Sequence, residues 1–589
     1  MYYSIMMTGG PLMNFVIRKT KNKELMYIQR SFRKDGKSTT KNVEKLGDLE
    51  VFMKEKNMTR EEVIAWGRKR AKDLTEKQKD DYKDIIVRFS QSALIGKDVS
   101  RTYRAGYLFV QKLYYDMNFS NVFRNIAARH KYEYDLDAIF SDLVYARIIE
   151  PGSKLSSYET VKSFLEAPKY KLHDIYRALS VLAEENEYIQ AEMYRNSNMI
   201  MKRDRNILYY DCSNYYFEIE QEDLEGYRKY GKSKEHRPNP IVQMGLFMDS
   251  NGIPLAFSLF DGNENEQKSL IPLEKMILDS YGLEKVIICT DAGLSGYENK
   301  FFNSRSNKAY ITTQSLKKLS REERNWALSD CDWFELDTGK RIKGTLKDLE
   351  LKDGVFYKED PCPHREIKDQ RLIITYSPKY AAYQKAIREG QVERAKKLIE
   401  RNQAGSKRNP NDPKRFIKKT NTTKEGEVAE QTFLELDEEA IDNEAMYDGL
   451  YGIVTVLEDD VKDIIAVAEG RWEIEECFRI MKSDFEARPA FVSSKESILG
   501  HFLTCYTALF FLRLLEHKTD HRFTSSELIK TLRSYNLLRI DEGYMPEYTR
   551  NDITDTLHEV SGFRTDHQIT TPARMRNIIK NTKAGLRKK

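Results

Sequence analysis

NILYYDCSNYYF, residues Asn206 to Phe217, is an apolar, strand-like run interrupted by one carboxylate, Asp211. An ionised carboxylate inside such a run costs several kcal/mol unless it is paired or metal-bound. The alternative is an edge-strand or turn position. A second apolar run, KVIICT (Lys285 to Thr290), stops at Asp291 and enters a glycine-rich loop, DAGLSG. Strand C-termini in α/β sheets are habitual ligand positions, while a turn or helix N-cap Asp is also common before Ala-Gly. Between the two lie strands at Ile241 to Met248 and Pro254 to Phe260, joined by a turn at Asp249 to Gly252, and another is predicted at Gly449 to Leu457. The chain reads as α/β.

The third carboxylate is helical. A long helix is predicted from about Asp460 to Asp484, and within it GRWEIEECFRIMKSDF carries Arg471, Glu475 and Lys482 at offsets of 0, 4 and 11 residues. At 100° per residue these fall at about 0°, 40° and 20°, on one narrow stripe. Ile474, Cys477, Phe478 and Met481 fall at about 300°, 240°, 340° and 280°, forming an adjoining apolar face. Glu476, at about 140°, points away, which favours Glu475 as the functional acid. An ordinary Arg–Glu pair at i, i+4 explains two of these residues, but not a charged stripe beside an apolar one.

Arg471, Glu475 and Lys482 match the spacing Arg-x3-Glu-x6-Lys, and here the chain resembles the DDE transposases of insertion sequences that carry the YREK signature. The Tyr of that signature falls at Ala468, a departure from the pattern. YYDCSNYYFE around Asp211, YGKSKEHRPNPIVQMGL (Tyr230 to Leu246), GNENE from Gly262 and CTDAGLSG around Asp291 are similar to family blocks. So are ARIIEPGSK (Ala146 to Lys154) and RPAFVSSKESILGHF (Arg488 to Phe502).

The resemblance implies an RNase H-like (ribonuclease H superfamily) catalytic core split by a mainly β insertion, preceded by an N-terminal β-hairpin module and a helical region. The expected divisions are 1–50 for the β-rich module and 51–200 for a helical, DNA-end-binding region. The core would occupy 201–303 and 447–515, the insertion 304–446, and a basic helical tail 516–589. Asp211, Asp291 and Glu475 would be the catalytic triad and the metal ligands. They would hold two Mg²⁺ ions, with Mn²⁺ as a substitute, because hard cations prefer carboxylate oxygens. Arg471 and Lys482 would grip DNA phosphates. Lys232, Lys234, His236 and Arg237, in the loop between two core strands, would be DNA contacts, with a solvated turn as the alternative. His501, at the head of an apolar helix, is either functional or a satisfied structural histidine. Trp326 and Trp333, in the insertion, are candidates for stacking on an unpaired base or for core packing.

The implied activity is cut-and-paste transposition. The enzyme would bind terminal inverted repeats in double-stranded DNA, hydrolyse the ends and join the 3′-OH groups to target DNA. Pairing two ends calls for two active sites, hence a homodimer in a synaptic complex. Two alternatives remain: a metal-dependent nuclease without strand transfer, and a catalytically inactive DNA-binding relic.

Composition agrees with a globular, core-forming protein. Of 589 residues 32% are charged and 11% aromatic, and 97 Lys and Arg against 92 Asp and Glu leave a net +5. Charge is uneven: Lys385 to Lys419 and the stretch from Arg564 are basic, while Glu425 to Asp448 is acidic. Such blocks commonly meet polyanions. The longest apolar run, Phe502 to Leu515, is shorter than a membrane span of about 18 residues and reads as a buried helix. No secretion signal is evident at the N-terminus, and no membrane partner is expected. The six cysteines are scattered, and a zinc site at Cys362 and His364 would need two more ligands. A reducing, cytoplasmic setting follows, and the resemblance implies a bacterial or archaeal, nucleoid-associated protein.

Overall fold

The computed structural model describes residues 13–20, 23–34, 37–81, 85–87, 89–283, 285–350, 352–361, 367–401, 411–422 and 431–586. Cys362, His364, Lys407 and Arg408 lie outside these residues. The chain divides into two compact units, Met1–Lys97 and Asp98–Lys589.

The first unit is an antiparallel meander of Met13–Lys19, Glu24–Lys34 and Lys37–Asp48, followed by helices Leu49–Lys56 and Arg60–Asp81. The second helix opens with a reciprocal cap, in which Thr59 N–H donates to Glu62 (2.7 Å) and Glu62 N–H donates to Thr59 (3.4 Å). Both helices share a small core with the strands, centred on Met26, Leu49 and Val63. The β-rich module and the start of the helical region are thus one unit.

The second unit is mixed α/β, built on a nine-stranded sheet. In spatial order its strands are Phe334–Glu335, Phe356–Pro361, Arg371–Tyr376, Leu450–Thr455, Lys308–Gln314, Val286–Thr290, Ile207–Tyr216, Ile241–Asp249 and Pro254–Asp261. Ile207–Tyr216 runs antiparallel to Ile241–Asp249, which runs antiparallel to Pro254–Asp261. On its other side Ile207–Tyr216 runs parallel to Val286–Thr290, which runs parallel to Lys308–Gln314. Numbered along the chain from Ile207, these five strands stand in the order 3-2-1-4-5.

The sheet does not end at residue 303. Lys308–Gln314 belongs to its parallel part, and three further strands extend it beyond Leu450–Thr455. The region expected to be a mainly β insertion is mixed. It contains the 23-residue helix Pro378–Glu400, rich in Ala, Glu, Lys and Arg and opened by a Ser377 cap with Pro378 at its first position.

Helices from Tyr107 to Ser197 and the helix Lys495–Lys518 build the main core with one face of the sheet. Lys495–Lys518 is long and apolar enough to cross a membrane, and nearly all of it is buried inside the protein, as the core-helix reading of Phe502 to Leu515 expected. The expected C-terminal tail folds back. Leu528, Leu532, Tyr535, Leu557 and Met575 enter the main core, and Asn536–Ile540 pairs with Thr102–Arg104. Cys212, Cys289, Cys477 and Cys505 are free and buried.

One buried ion pair locks the entrance to the sheet. Arg203 and Asp249 have side chains 0% and 1% exposed and meet at 2.5 Å. Arg203 also donates to Ser197 Oγ (2.9 Å) and to the carbonyls of Ile253 (3.2 Å) and Pro254 (3.1 Å).

Candidate active site

Parallel pairing aligns the first two carboxylates. Leu208 stands beside Ile288 and Tyr209 beside Cys289. Asp211 lies two residues beyond that last pair within its strand, and Asp291 two residues beyond it, just past the end of the neighbouring strand. Asp211 Oδ1 accepts the N–H of Cys212 (2.7 Å). Asp291 Oδ1 accepts the N–H of Gly293 (2.9 Å) and of Leu294 (3.2 Å), and Thr312 Oγ1 donates to its carbonyl (3.2 Å). Asp291 is therefore also the turn residue that its sequence context allowed.

Tyr209 and Tyr215 share the face of Asp211 and bring the third element onto it. The Tyr209 hydroxyl donates to the Val467 carbonyl (3.0 Å), and the Tyr215 hydroxyl meets Met481 Sδ (3.7 Å). A Cβ on Gly470 would sit 2.4 Å from the Tyr209 hydroxyl, so glycine permits this close approach.

The expected single helix is three pieces. Val461–Glu469 ends at Gly470, Trp472–Arg479 follows, and Ile480–Asp484 is a π-helical turn. Wider π turns are frequent at functional sites, and this one moves Lys482 off the 100° count. Ile474, Cys477, Phe478 and Met481 are buried as the periodicity predicts. Glu475 faces outward, 57% exposed, and pairs with Arg471 at 3.0 Å. Glu476 pairs instead with Arg479, and Glu473 with Arg513.

Electrostatics tie these groups together. Burial pushes the half-buried Asp211 carboxyl up to about 6; Lys234 and Arg471 oppose that rise and Asp291 adds to it. Burial alone would lower Arg471, but Tyr451, Glu475, Asp291 and Asp211 hold it above its ordinary value. Burial and then Lys234 bring Lys482 down to about 8, against the pull of Asp211 and Glu266. Asp211, Asp291, Glu475, Arg471 and Lys482 thus act on one neighbourhood. Among the described residues, three potential ligand atoms within 4.8 Å of one another occur only at Asp555, His558 and Asp566. Arg550 and Arg564 already hold those two carboxylates.

The loop between the first two strands divides its residues. Lys234 is exposed, yet its ammonium is engaged: it donates to the Cys212 carbonyl (2.5 Å) and pairs with Glu266 at 3.4 Å. Lys232 and His236 are exposed, and Arg237 lies over the Tyr216 ring at 4.2 Å. Gly231 packs so closely that a Cβ there would sit 1.9 Å from the Gly262 carbonyl oxygen. Gly231→Ala is expected to cost about 2 kcal/mol through displacement of this loop, read as a lowered midpoint in urea denaturation.

His501 is a buried structural residue. Lys154 lies 3.3 Å from its Nδ1, and its Nε2 is 3.2 Å from the Ala487 carbonyl. Burial holds the imidazole well below its ordinary value, so it is neutral and accepts from Lys154. Burial also brings Lys154 down to about 7. The unfolded chain binds this proton more tightly, so Lys154 opposes folding fully below about 7 and progressively less as pH rises toward 10.5. Relative to Lys154→Met, wild type should gain about 2 kcal/mol between pH 7 and pH 9, measured by denaturation at both pH values.

Trp333 is buried against Tyr376, and Trp326 packs partly buried in the same cluster with the Lys358 ammonium near both rings. Both take the core-packing alternative. Sequence reading passed over Tyr380 and Tyr383, which stack at 6.3 Å on Pro378–Glu400 and are 44% and 61% exposed. They line a cavity of about 540 Å³ with Ala292, Lys317 and Tyr451. Glu266, the last residue of the GNENE block, pairs with Lys234 across the fold and was not singled out by sequence.

The sequence model of the family described as "Transposase DDE domain" matches residues 217–511, half of the chain. Asp291 and Glu475 fall inside that range and Asp211 six residues before it. No curated protein matches the chain. Among solved structures, the piggyBac transposase synaptic complex with hairpin DNA, determined by cryo-electron microscopy, is similar at 8% identity and a TM-score of 0.34. That alignment covers 82% of this chain and 86% of that chain.

Proposed function

The chain belongs to the family of transposases with a DDE domain, and from that premise we propose that it cuts the ends of its own insertion sequence and joins them to target DNA. The observation that carries this reading is that Asp211, within one strand, and Asp291, just past the end of its parallel neighbour, share the field of Arg471, which pairs with Glu475. The 3-2-1-4-5 strand order supports an RNase H-like core.

Asp211 and Asp291 each use Oδ1 on backbone N–H groups, and the second oxygen of each suits a hard cation. With Glu475 they would hold two divalent ions, Mg²⁺ or Mn²⁺, which supply an activated water and stabilise the leaving 3′ oxygen. Arg471 offers its guanidinium fork to a phosphate of the scissile strand, and Lys482 a point charge. Without DNA, Arg471 offsets the carboxylates it faces. The exposed Tyr380–Tyr383 stack is suited to an unpaired base at the cut end. Lys232, His236 and Arg237 would contact the DNA backbone, and the terminal inverted repeats would be paired by a homodimer.

Hydrolysis breaks one P–O bond at each end and frees a 3′-OH. Attack of that 3′-OH on a target phosphodiester forms one P–O bond as another breaks, so joining needs no external energy source. The test is cleavage and strand transfer in Mg²⁺ on DNA carrying the sequences that flank this gene. Cut and joined products are expected. Cleavage without joining would leave the nuclease alternative, and binding without cleavage in either Mg²⁺ or Mn²⁺ would leave the relic.

The basic run from Lys385 would line the DNA channel. Lys396 and Lys397 lie on Pro378–Glu400, where Lys396 pairs with Glu393 at 2.6 Å. Neutralising Lys396, Lys397, Lys407 and Arg408 is expected to weaken DNA binding and flatten its salt dependence, by about 0.9 in log–log slope per lost phosphate contact. An unchanged slope in binding titrations at several salt concentrations removes the block from the interface.

A further inference from the structure

We propose that Glu266 is a positioning residue that draws the Lys234 ammonium away from Asp211 and so leaves that carboxylate free for a cation. The proposal rests on Asp211 being a metal ligand. The Lys234 ammonium, whose charge opposes the rise of the Asp211 carboxyl, donates to the Cys212 carbonyl (2.5 Å), one residue from Asp211. The ion pair it makes is with Glu266, at 3.4 Å. A lysine resting on Asp211 would compete with any cation for the same charge, because both are drawn by the same field.

The segment bearing Glu266 is held from several sides. Gln243 Nε2 donates to the carbonyls of Gly262 (3.1 Å) and Glu264 (2.6 Å), and Asn265 Oδ1 accepts the N–H of Gln267 (3.1 Å). From the strand of Asp211, the Tyr210 hydroxyl donates to Ser269 Oγ (2.6 Å), which donates to the Glu266 carbonyl (2.5 Å). From the helix after Asp291, Asn299 Nδ2 donates to the carbonyls of Gln267 and Leu294 (3.0 Å each). Lys234 is fixed as well: its N–H donates to Asn214 Oδ1 (3.2 Å), whose amide donates to the Lys232 carbonyl (3.2 Å). The segment thus ties the strand of Asp211 to the loop of Asp291, and Glu266 presents its carboxylate to Lys234 from a fixed place.

The test is a Mn²⁺ titration of the full chain without DNA, followed by electron paramagnetic resonance. It compares wild type, Glu266→Gln, Lys234→Met, the double variant and Asp211→Asn. Glu266→Gln keeps size and shape and should weaken Mn²⁺ binding several-fold, because Lys234 then relaxes onto Asp211. Lys234→Met in that background should restore binding to within about twofold of Lys234→Met alone, a non-additivity of the kind that coupled neighbours show. Unchanged binding in Glu266→Gln overturns the proposal. So does a loss that Lys234→Met does not reverse, which would make Glu266 a direct ligand or a packing residue. If Asp211→Asn binds Mn²⁺ and cleaves like wild type, the metal-ligand reading itself fails. If Asp211→Asn loses both while Glu266→Gln loses neither, only the Glu266 proposal fails.

Discussion

Glu475→Gln is expected to abolish DNA cleavage and strand transfer, a loss of at least about 10³-fold, equivalent to roughly 4 kcal/mol of transition-state stabilisation. The substitution keeps the side chain's size and its place on Trp472–Arg479, and it removes one negative charge from the neighbourhood of Asp211 and Asp291. Folding should be unaffected, because the carboxylate is 57% exposed and its one partner, Arg471, retains Asp291 and Asp211. Glu476→Gln is the internal control. Its carboxylate is engaged by Arg479 on another face of the same helix, so cleavage should persist. Quantifying cut and joined DNA for both variants in Mg²⁺ decides the matter. Activity retained by Glu475→Gln and lost by Glu476→Gln would reverse the assignment drawn from helix geometry.

Arg203→Ala is expected to destabilise the larger unit by about 3–5 kcal/mol. The substitution leaves Asp249 buried with its charge uncompensated, and strands the carbonyls of Ile253 and Pro254 that the guanidinium satisfies. Asp249 still accepts N–H groups from Asn251 (3.1 Å) and Ile253 (3.0 Å), which limits the loss. Guanidinium denaturation of wild type and variant gives the difference, and a change below about 1 kcal/mol would place this pair among those with little net effect.

The legible parts of the molecule were those governed by local pattern. Alternation and apolar runs located the strands of Asp211, Asp291 and their neighbours, and the 3.6-residue period placed Ile474, Cys477, Phe478 and Met481 in the core. The Thr59–Glu62 cap is equally local, since both partners lie within one turn. Features that depend on partners distant in sequence were hidden. Nothing local breaks the helix at Gly470 as decisively as the Tyr209 hydroxyl packed against it, and a π turn leaves no mark in a 100° count. Lys234 reads as one more basic residue in a polar loop until the fold brings Glu266 to it. The tryptophans were candidates for stacking by residue type alone, and burial of Trp333 depends on strands that the irregular sequence after Asn303 conceals.

The way the sheet continues past Lys308–Gln314 places both ends of the long excursion side by side. The chain leaves at Gln314 and returns at Gly452, and these two residues are direct partners across one antiparallel ladder. They are the two ends of a hairpin whose turn has been replaced by a folded body. The excursion is nonetheless stitched to the sheet at its other edge, because its strand Arg371–Tyr376 pairs with Leu450–Thr455 and Ile373 enters the main core.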